Sequence, residues 1–107
     1  MSNYFCLVGN ITRNPVLEKT TNNTSFAWIN LAVDRETDRD VTDYIQLIAW
    51  QKNAENICNF TTKGSLVCVT GKIQTKWETK SDGTRECKVE HNIHRVTFLD
   101  KKKAVAS

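Results

Sequence analysis

Apolar and polar residues alternate along much of this chain with the period of two that marks β-strands. The pattern is clearest in two segments. From Ser25 to Arg35, Ala27, Ile29, Leu31 and Val33 fall on one face, while Phe26, Trp28, Asn30, Ala32 and Asp34 fall on the other. From Thr42 to Trp50, Ile45, Leu47 and Ala49 point one way, and Tyr44, Gln46, Ile48 and Trp50 the other. One face of each segment suits a core. The other face of the second segment presents two flat rings, with Lys52 just beyond.

The remaining segments fit around these two. Tyr4 to Ile11 reads as a first strand, broken by Asn14-Pro15, with Val16 to Lys19 as a short extension. Thr20 to Thr24 has turn chemistry. Ser25 to Arg35 is strand two, Glu36 to Val41 a polar loop, and Thr42 to Trp50 strand three. Asn53 to Phe60 is helix-compatible, with Ala54, Ile57, Cys58 and Phe60 sharing an inward face. Thr61 to Gly64 ends it. Strand four runs from Ser65 to about Trp77 with Val67, Val69 and Ile73 inward, and Gly71 marks a bulge or close approach. Ser81-Asp82-Gly83 signals a hairpin turn into strand five, Arg85 to Leu99. This order predicts an all-β fold: a five-stranded OB-fold Greek-key barrel with one short helix between strands 3 and 4. The expected domain covers residues 1–100, and residues 101–107 form a short, basic, flexible tail.

Composition narrows the function classes. The chain has 107 residues, enough for one modest core, and a net charge of +3 from 15 basic and 12 acidic residues. No apolar run is long enough to span a bilayer, and the start, MSNYFCLVGN, lacks the basic and apolar regions of a signal peptide. Cys6, Cys58, Cys68 and Cys87 are scattered without a C-x-x-C pair, and His91 and His94 do not complete a zinc spacing. A reducing cytoplasm is the simplest setting. Asp34, Asp38, Asp40 and Asp43 lack the EF-hand pattern. No acid–base or nucleophile constellation stands out, so an enzyme, a cofactor and a metal are not expected.

The ordered set of segments resembles the bacterial-type single-stranded DNA-binding protein (SSB) family. Leu7-Val8-Gly9-Asn10-Ile11-Thr12-Arg13-Asn14-Pro15 is similar to its first strand and exit, and Leu31-Ala32-Val33-Asp34-Arg35 to the end of its second. Asp43-Tyr44-Ile45, Trp50-Gln51-Lys52-Asn53-Ala54-Glu55 and Lys63-Gly64-Ser65-Leu66-Val67 resemble its central block. Gly71-Lys72-Ile73-Gln74-Thr75-Lys76, the Asp82-Gly83 turn and Val96-Thr97-Phe98-Leu99 complete the match, over about residues 3 to 99. The resemblance implies sequence-tolerant binding and protection of single-stranded DNA during replication, recombination and repair. It implies a homo-oligomer, expected as a tetramer, with a dimer as the alternative. A second reading on the same fold is a dimeric, SSB-related primosomal protein that bridges replication proteins.

Carried over by position, Tyr44 and Trp50 stand where family stacking aromatics stand. The place of a further family aromatic, after strand two, falls near Thr37. Trp77 on the hairpin arm comes one residue early, which flips its face unless a bulge restores register. Trp28 is an additional ring, open to both DNA stacking and a subunit interface. Arg13, Arg35, Lys52, Lys72, Lys76, Lys80 and Arg85 are each weighed against an ordinary solvated charge, and the first five are the candidate phosphate contacts. Lys72 and Lys76 alternate with Gln74 on the outward face of strand four. Family members usually end in a flexible linker and an acidic tip that recruits replication and repair proteins. The sequence as read ends at Ser107, after Lys101-Lys102-Lys103, without reaching such a tip. A tail removed and a tail never present are both open.

Overall fold

A computed structural model describes residues 1–99; the expected basic tail lies outside the described residues. Seven elements follow one another: β1 (Phe5–Ile11), β2 (Glu18–Lys19), β3 (Ser25–Arg35), β4 (Asp38–Trp50), α1 (Lys52–Phe60), β5 (Leu66–Thr79) and β6 (Arg85–Phe98). The strands are ordered β1-β5-β6-β4-β3-β2, and an added β1–β3 pairing closes the ring. Closure runs through Asn10 opposite Ala32 and Ile11 opposite Leu31. Five strands therefore make the barrel, as expected. The two-residue β2 pairs with the start of β3, on the same edge that β1 uses further along, with Glu18 opposite Phe26.

The inward residues are those the alternation selects. Ala27, Ile29, Leu31, Leu47, Ala49, Val67 and Val69 are buried in one cluster with Phe5, Ile11 and Ile93. Ala27 lies directly opposite Ala49. These small side chains leave room at that end of the barrel for α1, which adds Ala54 and Ile57 to the same cluster. The helix begins after Gln51, whose backbone sits at a positive φ of 54°. Its amide donates to the Ser25 carbonyl at 2.7 Å, which ties the strand-to-helix corner to β3. At the other end Thr61 caps the helix, with both its amide (3.1 Å) and its hydroxyl (2.6 Å) donating to the Ile57 carbonyl.

Several local expectations are corrected. The Glu36–Val41 loop shrinks to a two-residue turn, because β4 already begins at Asp38 and continues the β3 hairpin beyond the barrel. Polar residues there satisfy strand hydrogen bonds without needing a core to face. Ile48, on the outward face, is buried, flanked in register by Trp28 on β3 and Asn92 on β6. Ile73, expected inward, is exposed because β5 has already left the barrel at that point. Phe60 is also exposed, at the last position of α1, where it meets the edge of Phe98 at 5.7 Å between ring centroids.

Gly71 combines both expected roles. A Cβ there would collide with the backbone carbonyl of Asn92. The β5–β6 register shifts by one at this step, from Thr70 opposite Arg95 to Gly71 opposite Ile93. The extra residue, His94, belongs to β6, so the alternation of β5 runs unbroken through Gly71 to Thr79. Beyond it, Lys72–Thr79 and Arg85–Asn92 project as a two-stranded arm. Asn53, in the first turn of α1, donates its amide to the His94 carbonyl (3.1 Å) and holds the bulge in place.

Candidate nucleic-acid interface

The outer face of the β3–β4 pair is a ladder of facing residues. Phe26 faces Trp50, Trp28 faces Ile48, Asn30 faces Gln46, and Ala32 faces Tyr44. Trp50 and Trp28 are about two-fifths exposed (39% and 40%), and Tyr44 is 74% exposed. Phe26 lies against Trp50 with ring centroids 5.4 Å apart, tilted by 37°. This contact fixes the orientation of Trp50 and leaves part of its surface open. Tyr44 stands six residues from Trp50 along one strand, roughly 20 Å at about 3.3 Å per residue. The rings therefore meet different bases of any strand laid along this face.

The arm supplies the opposing wall. Alternation puts Lys72, Gln74 and Lys76 on one face of β5, and that face turns toward the aromatic ladder. A cleft of about 340 Å³ lies between Trp50, Asn53, Gln74, Asn92, Ile93 and His94. Within it the Asn92 amide donates to Gln74 Oε1 at 2.8 Å. A second cleft, of about 330 Å³, has Trp28 and Gln46 on one side and Lys76, Glu78 and the Lys88–His91 stretch of β6 on the other. His91 Nδ1 donates to the Gln46 carbonyl at 3.1 Å, which fastens the arm to β4. A third cleft, of about 290 Å³, is lined by Arg13, Asn14, Trp28, Asn30 and Gln46 among others. Trp28 thus borders two of the three clefts. The hydrogen-bonding partners assign the Asn30 side-chain amide with its oxygen toward the Arg13 guanidinium, so that Nε donates to it at 3.1 Å.

The sequence candidates divide clearly. Trp28, Trp50 and Tyr44 share the outer face of β3–β4, and Arg13 and Lys76 line clefts with Trp28; Lys72 has the strand parity of Gln74 and Lys76, and exposed Lys52 opens α1 two residues after Trp50. Arg35 is not there. Its guanidinium holds Asp43 with two hydrogen bonds, at 2.7 and 3.3 Å. Asp43 faces Val33, on the side of β4 opposite Tyr44. Hydrogen bonding to Arg35 lowers the Asp43 carboxyl below its ordinary value. Trp77 is not there either. No bulge in β5 restores its register, so it occupies the reverse face of the arm from Lys76, opposite Cys87.

Four contributors escaped the candidate set: Phe26, Asn30, Gln46 and Gln74. Phe26 was visible in the alternation, but its role depends on facing Trp50. Single amides carry no sequence signal of their own. Among the described residues no group of three or more His, Cys, Asp or Glu side chains could hold a metal ion. No helix among them is long and apolar enough to cross a membrane.

A closed five-stranded barrel with a helix between its third and fourth barrel strands is an OB-fold, here with an exposed aromatic ladder beside a projecting arm. The chain belongs to the single-strand binding protein family, whose model matches residues 2–99. It is 38% identical over 105 residues to a single-stranded DNA-binding protein of Halalkalibacterium halodurans, covering 94% of this chain and 62% of the relative. It is 38% identical over 106 residues to single-stranded DNA-binding protein 3 of Listeria innocua (95% and 66%). Single-stranded DNA-binding protein A of Bacillus subtilis is 36% identical over 106 residues (95% and 62%). The chain therefore spans a little under two thirds of the length of these relatives.

Proposed function

We propose that this chain binds single-stranded DNA with little sequence preference and keeps it unpaired and protected during replication, recombination and repair in the cytoplasm. The observation that carries the reading is the shared face of Trp28, Trp50 and Tyr44, with Lys76 and Arg13 in clefts beside Trp28 and with Lys72 and Lys52 as further cations nearby in sequence. Every base has a surface that can stack on a ring, so such a face takes any sequence; each stack contributes roughly 1–3 kcal/mol. The cations add phosphate contacts whose strength falls as salt rises, because binding releases counterions from the strand. The relatives, whose names state single-stranded DNA binding, support the same reading.

The working form is a homo-oligomer. Its support is the β1 strand, which pairs only with β5 over Phe5–Gly9 and carries exposed Tyr4 and Val8 at or beside that open edge. Titration with oligo-dT, read by tryptophan fluorescence and by the mass of the complex, tests both claims. Quenching, a salt-dependent affinity and a multiple-chain complex are expected. Unchanged fluorescence together with no complex at low salt would refute the DNA reading, and a mass of one chain would refute the oligomer.

A further inference from the structure

The outer face of β1 and β5 carries a pair of thiols. Cys6 lies opposite Thr70 and Cys68 opposite Val8, so the two cysteines are diagonal neighbours across an antiparallel ladder. Short side chains on such a diagonal touch only when they lean together. Here they do: the two sulfur atoms are 3.9 Å apart, although 62 residues separate them along the chain. Cys58 in α1 and Cys87 on the arm stand elsewhere in the fold.

The paired thiols differ in setting. Cys6 is exposed, so its sulfur meets solutes directly. Cys68 is half-buried, and burial first, then the contact with Cys6, pushes its thiol up. An exposed sulfur beside a sheltered one is the arrangement in which an oxidised cysteine meets a resolving partner.

A bond between them requires the sulfurs to close to about 2.05 Å and the Cβ atoms to about 3.8 Å. β1 leaves room for that movement. Over Phe5–Gly9 it pairs only with β5, and its other edge meets β3 only at Asn10 and Ile11. The segment that carries Cys6 can therefore shift toward Cys68 without breaking a second ladder. An added strand would pair in the plane of the sheet, whereas side chains project out of it. A second chain along the open edge therefore does not by itself cover the Cys6 sulfur.

We propose that Cys6 and Cys68 form a peroxide-responsive dithiol, converted reversibly to an intrachain disulfide that ties β1 to β5. The proposal goes beyond the DNA reading and does not depend on it. The Cys6 thiolate attacks hydrogen peroxide: an S–O bond forms, the O–O bond breaks, and the departing hydroxide takes up a proton to become water. Cys68 then gives up its proton and attacks the sulfenic sulfur of Cys6. The S–S bond forms, the S–O bond breaks, and hydroxide leaves with that proton as a second water. Two thiols have passed two electrons to one peroxide, and a small dithiol returns them by exchange.

The test uses Cys87→Ser, which removes the other exposed thiol. The reduced protein is treated with hydrogen peroxide and alkylated in denaturant. Two of the three remaining thiols, those of Cys6, Cys58 and Cys68, should be lost. A non-reducing digest should contain a peptide joining Cys6 to Cys68, and dithiothreitol should restore both thiols. Adding Cys68→Ser removes the resolving partner, so a sulfenic acid should accumulate at Cys6 and be trapped by dimedone several-fold above the level in Cys87→Ser alone. No loss of thiols, or oxidation of Cys6 alone to higher acids, would overturn the proposal. So would a bond between two chains, seen as a dimer on a non-reducing gel, because Cys6 would then face a second copy. Equal dimedone trapping with and without Cys68 would overturn it too. Should Cys68→Ser fail to fold, the digest of Cys87→Ser decides the matter alone.

Discussion

Replacing Trp50 by alanine removes one base platform and the ring that packs on Phe26. Its effects on binding and on stability separate by size. Losing one base–ring stack costs roughly 1–3 kcal/mol of binding, about a 5- to 150-fold weaker Kd at about 1.4 kcal/mol per tenfold. Trp50 has both neighbours of a good platform: Phe26 holds it at 5.4 Å, and the cleft with Gln74 and Asn92 opens beside it. The upper part of that range is therefore expected. The Phe26 pairing adds a stability loss of about 0.5–1.5 kcal/mol beyond burial, so Trp50→Ala should unfold at a lower temperature yet remain folded. Trp50→Phe keeps a ring against Phe26 and should recover most of both losses. Tyr44→Ala is the matching control: at 74% exposure its ring carries little packing, so affinity should fall with no change in Tm. Anisotropy of a labelled oligo-dT at fixed low salt, beside thermal unfolding, measures both. A folded Trp50→Ala that binds within about twofold of the parent would refute the platform assignment, since even the weakest stack is worth more.

Lys76→Gln should lower the slope of log K against log salt by about 0.7, the value for one phosphate contact on a single strand, and an unchanged slope would remove Lys76 from the interface. Gly71→Ala should destabilise the fold by about 1–3 kcal/mol in urea unfolding, because the backbone at Asn92 must give way to the new methyl. Asp43→Asn should leave DNA affinity unchanged, since the Arg35 pair lies off the aromatic face. The Asp43 carboxyl is depressed in the fold, so its contribution is present above the unfolded value of about 4 and is lost as pH falls through the folded value. The Tm difference between parent and Asp43→Asn should therefore shrink below about pH 4, and a gap that widened in acid would reverse this assignment.

The barrel was legible because its signal is redundant. Alternation in β3 and β4, the short helix after β4, Gly71 and the Asp82-Gly83 turn all point to the same closed sheet. Strands here do not end where the core ends. Asp38–Val41 and Ile73 belong to strands that continue beyond the barrel, where backbone pairing persists and inward no longer has a meaning. Ile48 fails the other way: it points outward, but register places Trp28 and Asn92 on either side of it. Burial of a sheet residue depends on its neighbours across strands, and those are fixed by register that one strand's sequence does not contain.

The same limit governs the site. Tyr44, Trp50 and Trp28 could be grouped from alternation because β3 and β4 are adjacent hairpin strands with one register between Phe26 and Asp34. Arg35 follows that stretch, at the register shift beside Asp34, and no pattern in the sequence shows that Asp43 takes up its charge. Trp77 tests the point most sharply. A bulge does exist at the base of the arm, as the sequence led one to look for, but the inserted residue is His94 of β6. A bulge re-aims the side chains of the strand that carries the extra residue, and leaves the alternation of its partner intact. Trp77 therefore keeps the parity of Val69 and Gly71 and goes behind the arm, while Lys76 beside it stays in front. Moving the ring forward requires one added residue in β5 between Gln74 and Trp77, which would carry Trp77 to the face of Lys72 and Gln74. In the variant with that insertion Trp77→Ala should weaken binding of a short oligo-dT, whereas with an insertion on the β6 side, which leaves the alternation of β5 intact, it should not.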